Sequence, residues 1–229
     1  MPIQFSCFIS YRHSSVKSGA SFVRDFVEGF EEELGRWVNY PISFDERRLQ
    51  AADFIDESLA EKLHGSACML VLYTPNYFSS VKPFCSREYF GMMELESLRL
   101  PQLQGEHARG LVIPVALRDQ ATMVQHVQNA EQQWCAARQV SARNRLGLSF
   151  EQFSKKRQLQ PGGNLNAELQ NICRVIHDRE YAFEALIANG QDPFTNAAAW
   201  QLPAEGTVKP WINGLLGFVK QPQLASKAA

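Results

Sequence analysis

In the stretch KPFCSREYFG, Lys82 to Gly91, one carboxylate, Glu88, stands among aromatic and sulfur side chains. If the stretch opens a helix, Phe84, Glu88 and Met92 fall four apart on one face, and the carboxylate lies at the margin of an apolar surface. A position in the first turns also places it at the positive helix end, which favours the ionised form. Such a carboxylate can hydrogen-bond sugar hydroxyls and stabilise the cation-like transition state of glycosidic cleavage. The plainer role is a carboxylate that only complements the helix dipole. Cys85 next to it is no obvious nucleophile, because no histidine has a spacing that pairs with it, and such a thiol usually packs in a core. His13, His64, His107, His126 and His177 form no ligand set of the H-E-x-x-H kind, so no metal site is expected. No glycine-rich phosphate loop occurs either, which leaves side chains and loop amides to hold any phosphate.

The elements that must position Glu88 are legible as two alternating periods. FSCFISY is a short buried run, followed by Phe22, Phe26, Phe30, Leu34 and Val38 at helical spacing. YPISFDE is a second strand; Asp53 can cap a helix with Ile55, Leu59 and Leu63 on its apolar face. ACMLVLYTP is apolar on both faces, as in a parallel sheet covered by helices, and Pro83 suits the start of the next helix. GLVIPVAL is a fourth strand whose Pro114 belongs near an edge or a bulge. Met123, Val127, Ala130, Trp134 and Ala137 keep helical spacing, LGLSF is a candidate fifth strand, and Leu165 to Phe183 marks a long late helix. The pattern predicts an α/β fold: a doubly wound, flavodoxin-like, five-stranded parallel sheet flanked by helices. Residues 1–189 are read as the domain and 190–229 as a C-terminal tail, docked or flexible. With strand order 2-1-3-4-5, the ligand crevice falls beyond the carboxyl ends of strands one and three, where SYRH faces TPNYFSSVKPFC.

Bulk properties narrow the function classes. A net charge of -1 and 45% hydrophobic residues carry no nucleic-acid or membrane signature. The basic stretch from Arg138 to Arg157 lacks the interleaved aromatics of a stacking platform and reads as a solvated face. The apolar run Ala67 to Tyr73 is too short to span a bilayer, and MPIQFSCF is no secretory signal, so a cytoplasmic location is expected. Five scattered cysteines without a C-x-x-C pair indicate neither a disulfide framework nor a zinc cage.

Three blocks, FSCFISYRHSS, ISFDERRLQAADFIDESLAEKLHGSACMLVLYTPNYFSS and KPFCSREY, resemble in order and separation the signatures of a TIR (Toll/interleukin-1 receptor) domain over Phe5 to Leu117. Many such domains cleave NAD at the nicotinamide glycosidic bond with a glutamate at the head of the third helix. The resemblance therefore implies that Glu88 is catalytic. It also implies that Ser10, Tyr11 and Arg12 line the NAD site and that the loop from Phe44 to Asp53 folds over it. NAD is then substrate, with no cofactor required. Its pyridinium already carries positive charge and leaves as neutral nicotinamide, so one carboxylate suffices where ordinary glycosidases need two. Tyr11, Phe44, Tyr77, Phe78 and Phe84 can wall the site, with Asp45 and Cys85 counted among the substrate-lining residues. Arg12, Arg47 or Arg48 can meet the pyrophosphate, although Arg47 and Arg48 read equally well as a solvated turn. Ala52 to Phe54 and Phe84 stand where glycine and tryptophan are common in the family.

The chain resembles stand-alone bacterial TIR proteins of antiphage defence in its plan. That implies self-association through TIR–TIR contacts, with a sensor protein or an effector that reads a nucleotide product as further partner. The products expected are nicotinamide with ADP-ribose or a cyclic isomer. Two other readings are a non-catalytic TIR interaction module and a flavodoxin-like nucleoside-processing relative.

Overall fold

The structure, a computed structural model, describes residues 3–12, 17–44, 55–103, 110–139, 145, 147–149, 164–195 and 199–217. Strands and helices alternate: β1 (Phe5–Tyr11), α1 (Lys17–Leu34), β2 (Ile42–Phe44), α2 (Ile55–His64), β3 (Ser66–Tyr73), α3 (Phe84–Arg99), β4 (Val112–Ala116), α4 (Gln120–Arg138) and β5 (Leu148–Ser149). Two further helices follow, α5 (Asn164–Ala188) and α6 (Glu205–Gly217). The sheet order is β2-β1-β3-β4-β5 and every pairing is parallel. Four strands form its body, and β5 adds two residues at the β4 edge. Pro114 pairs with Val71 of β3 and lies one residue before the β5 pairing begins, near the edge of the sheet as expected.

Each strand forms where the sequence offers a run that can be buried on both faces. All eight residues of β3 and all seven of β1 are buried. In α1, Phe26, Val27, Phe30 and Leu34 turn inward on a 3.6-residue period, and α1 packs on α5, which lies along β1 and β3. The two serines of β1 each meet a buried glutamate: the Ser6 hydroxyl bonds Glu180 of α5, and the Ser10 hydroxyl bonds Glu88 of α3. Glu180 also accepts the Asn39 N–H at 2.7 Å, which ties the α1–β2 connection to α5. The α4 helix is capped by Asp119, whose Oδ1 accepts from the Thr122 N–H at 3.2 Å.

The C-terminal region read as a tail contains α6, which packs on α3 and α4. Trp211 of α6 stacks on Tyr89, with ring centroids 6.1 Å apart, and meets Phe78 and Phe90 edge-on.

His64, at the end of α2, is buried and its pKa is lowered to about 4, by burial first and then by the Arg99 charge. The unfolded chain therefore takes up this proton first as pH falls. The stability that neutral His64 contributes is full above about pH 6.5 and is lost as pH falls toward about 4. Urea unfolding at pH 7 and pH 5 should show the wild type weakened at the lower pH and His64→Gln weakened less. An equal loss in both would contradict this. Burial also lowers the His126 pKa, so the variant reduces the acid sensitivity without removing it.

Candidate active site

The strand order reverses between β1 and β3, because β2 lies on one side of β1 and β3 on the other. The region beyond the carboxyl ends of these two strands is where doubly wound α/β sheets bind ligands. Ser10 and Tyr11 end β1, residues 74–83 lead out of β3, and α3 begins at Phe84. Glu88, only 5% exposed, reaches the end of β1 from the second turn of α3. Its Oε2 accepts the Ser10 hydroxyl at 2.5 Å. The Ser10 oxygen in turn lies 2.6 Å from the Tyr77 hydroxyl. Because the one Ser10 proton goes to the carboxylate, Tyr77 is the donor in this second bond. Burial, followed by the nearby Cys85 and Glu88, pushes the Tyr77 pKa well up, so the phenol keeps the proton it donates. The result is a relay, Tyr77 to Ser10 to Glu88, that fixes one carboxylate oxygen.

The other residues expected at the site differ in their surroundings. Tyr11 and Phe44 are buried and stack with centroids 5.1 Å apart, while Tyr77 and Phe78 pack edge-to-face at 5.1 Å. Each of these rings thus has an aromatic neighbour within the core. Phe84 departs from the expectation: it is 41% exposed, and the Arg87 guanidinium lies 5.7 Å from its ring centroid. The first-turn neighbour that shares Glu88's surroundings is Cys85, whose thiol donates to the Tyr11 carbonyl at 3.2 Å. Arg12 is half-buried, and its Nη1 donates to the Lys82 carbonyl at 2.7 Å, joining the two loops across the crevice. Asp45 and Arg47, with Arg48 and Asp53, lie outside the described residues.

A family model for the TIR domain matches residues 7–148. The chain belongs to the TIR domain family. No curated protein matches it. The TIR match takes in Ser10, Tyr77, Cys85 and Glu88, and it runs past Arg118 to the first residue of β5. TIR domains commonly self-associate, and they include enzymes that cleave NAD. Both α5 and α6 lie beyond the match, yet they complete this TIR domain's packing: α5 lies along β1 and β3, and α6 lies on α3.

Two structural features around Glu88 escaped sequence reasoning. One is the Tyr77–Ser10 support of Glu88, for which the only signal was a serine inside the apolar run FSCFISY. The other is Arg87, which sequence reasoning did not single out and which is buried. Among the described residues, no group of three or more His, Cys, Asp or Glu could hold a metal ion. Among the same residues, no helix is long and apolar enough to cross a membrane.

Proposed function

We propose that this TIR domain is an NAD glycohydrolase with Glu88 as its catalytic residue. The observation that carries the reading is the buried Glu88 carboxylate, fixed by Ser10 and Tyr77 at the switch point of the sheet. NAD enters with its nicotinamide ribose against Glu88. The bond between the ribose anomeric carbon and the pyridinium nitrogen breaks, its electron pair stays on nitrogen, and neutral nicotinamide departs. The carboxylate stabilises the positive charge that develops on the sugar and holds its hydroxyls. Water then adds to the anomeric carbon and loses a proton to give ADP-ribose, or a nitrogen of the adenine adds to give a cyclic isomer. Tyr11, Phe44, Phe84 and Cys85 bound the pocket and Arg12 lies at its rim, while Asp45 and Arg47, outside the described residues, are kept as candidate substrate contacts from the sequence. Self-association assembles the active form, and the product serves as a messenger in immune or antiphage signalling.

The test is to incubate concentrated protein with NAD, with a crowding agent to promote assembly, and to separate the products chromatographically. Nicotinamide together with ADP-ribose or its cyclic isomer is expected; intact NAD from assembled protein would count against the reading. Ser10→Ala removes the donor that fixes Oε2 and should lower kcat on the order of tenfold, with a smaller effect on KM. Unchanged kcat would show that the Ser10 bond does not matter for turnover.

A non-catalytic TIR interaction module is the second reading. Val81, 86% exposed, lies near exposed Phe84 at the mouth of the crevice, an apolar surface suited to association. In that case Glu88→Ala leaves the biological output intact.

A further inference from the structure

Arg87 immediately precedes Glu88 and is 4% exposed. Its Nη1 and Nη2 donate to the two carboxylate oxygens of Asp56, at 2.9 and 2.7 Å. Its Nε donates to the Pro203 carbonyl at 2.7 Å. Asp56 lies in the first turn of α2, and Pro203 lies just before α6. One turn along α3, Gly91 lies under the same C-terminal segment: a Cβ there would stand 3.1 Å from both Trp200 and Pro203. The first turns of α3 are thus held from two directions. Cys85 and Glu88 fasten them to Tyr11 and Ser10 of β1, while Arg87 fastens them to α2 and to the segment before α6.

A bidentate arginine–carboxylate pair fixes orientation as well as distance, because the two planar groups meet along two parallel bonds. Asp56 itself is half exposed, so stability alone gives a weak reason for so directed an arrangement. Its geometric consequence is sharper, since rotation or sliding of the first turn of α3 would carry Glu88 away from Ser10.

We propose that Arg87, clamped between Asp56 and the Pro203 carbonyl, is a positioning residue that sets the place of the Glu88 carboxylate. The C-terminal segment beyond the TIR match thereby becomes part of the catalytic support. This inference rests on the reading of Glu88 as the catalytic residue. Arg87 touches no substrate; it acts through the helix turn it holds.

The test compares wild type, Glu88→Ala, Arg87→Met, Arg87→Lys, Asp56→Asn and the Arg87→Met/Asp56→Asn double variant. Two readouts are taken: the kinetics of nicotinamide release, and the titration of the Glu88 carboxyl by carbon NMR of glutamate-labelled protein. Arg87→Met should lower kcat on the order of 10²-fold, as expected when a reacting group is displaced by about 1 Å, with KM within about threefold of wild type. Arg87→Lys, which keeps the charge but not the planar fork, should fall between. The double variant should be no slower than Arg87→Met, because both changes open the same clamp. The Glu88 titration should move in Arg87→Met and Asp56→Asn alike, and the latter, altered at its half-exposed end, serves if the former does not fold. Wild-type kcat in both, with Glu88→Ala inactive, would overturn the clamp and leave the reading of Glu88 standing. If wild type itself releases no nicotinamide, the NMR titration decides alone: a moved Glu88 signal supports the clamp and an unmoved one overturns it.

Discussion

Glu88→Gln should lower nicotinamide release on the order of 10³-fold while the protein keeps its wild-type unfolding free energy within about 1 kcal/mol. Glutamine has the shape of glutamate and offers a carbonyl oxygen to the Ser10 hydroxyl, which now sits 2.5 Å from Glu88 Oε2. The fold therefore loses little. The reaction loses the negative charge that faces a developing positive charge on the ribose, in a site where burial strengthens electrostatic contacts. Because that charge develops mainly in the transition state, the loss should appear in kcat and leave KM for NAD nearly unchanged. A variant that loses activity together with its thermal transition would show a structural role for Glu88. A folded variant with wild-type turnover would remove it from the chemistry.

Arg145→Met should destabilise the folded protein by about 3–5 kcal/mol, a large share of the 5–15 kcal/mol that a domain typically has. The Arg145 guanidinium donates to both oxygens of Glu96 at 3.0 and 2.8 Å, to Glu131 at 2.6 Å and to the Val112 carbonyl at 3.0 Å. Glu96 also accepts the Leu111 N–H at 2.5 Å. One side chain thus links α3, α4 and β4. Burial opposes all these charges, but mutual attraction prevails: the Arg145 pKa is raised well above its ordinary value by Glu96, Tyr89 and Glu131. For Glu96, burial pushes the pKa up, and Arg145 with the Leu111 and Val112 N–H groups brings it below its ordinary value. A depressed carboxylate contributes its stability above about pH 4.5 and loses it as pH falls below, so the network is at full strength at pH 7. Methionine fills similar space and strands Glu96 and Glu131 as buried carboxylates without their cation. Gly110 makes the close approach feasible, since a Cβ there would lie 2.4 Å from Arg145 Nη1. Urea unfolding at pH 7 measures the change. A shift below about 1 kcal/mol would mean that desolvation offsets the attraction almost completely.

What the sequence made legible follows from where the physics is local. Runs such as ACMLVLY can be satisfied only as strands covered on both faces, and the helical spacing of Phe22 to Leu34 has one good solution; both appear as β3 and α1. The crossover rules limit the strand orders without choosing one; the order expected by analogy, 2-1-3-4-5, is the one found, and it sets Glu88 near the switch point. The partners of Glu88 were not legible, because Ser10 and Tyr77 lie 78 and 11 positions away in the chain and only the folded sheet brings them together. Helical spacing sets Phe84 on the side of Glu88 but does not tell how exposed its ring is: it is 41% exposed, with the Arg87 guanidinium 5.7 Å from its centroid. The α6 helix was disguised by Gly206, Pro210 and Gly214, which weaken helix propensity. It forms because Trp211, Ile212 and Leu215 are buried against the rest of the domain. The clamp of Arg87 on Asp56 joins residues 31 apart, a pairing without a periodic signature.

The most direct measurement of the central claim is nicotinamide release from NAD by wild-type protein and Glu88→Ala, side by side at high protein concentration with a crowding agent. Release by the wild type and none by the variant is the result this account predicts. Equal rates from the two proteins, or no release from an assembled wild type, would contradict it.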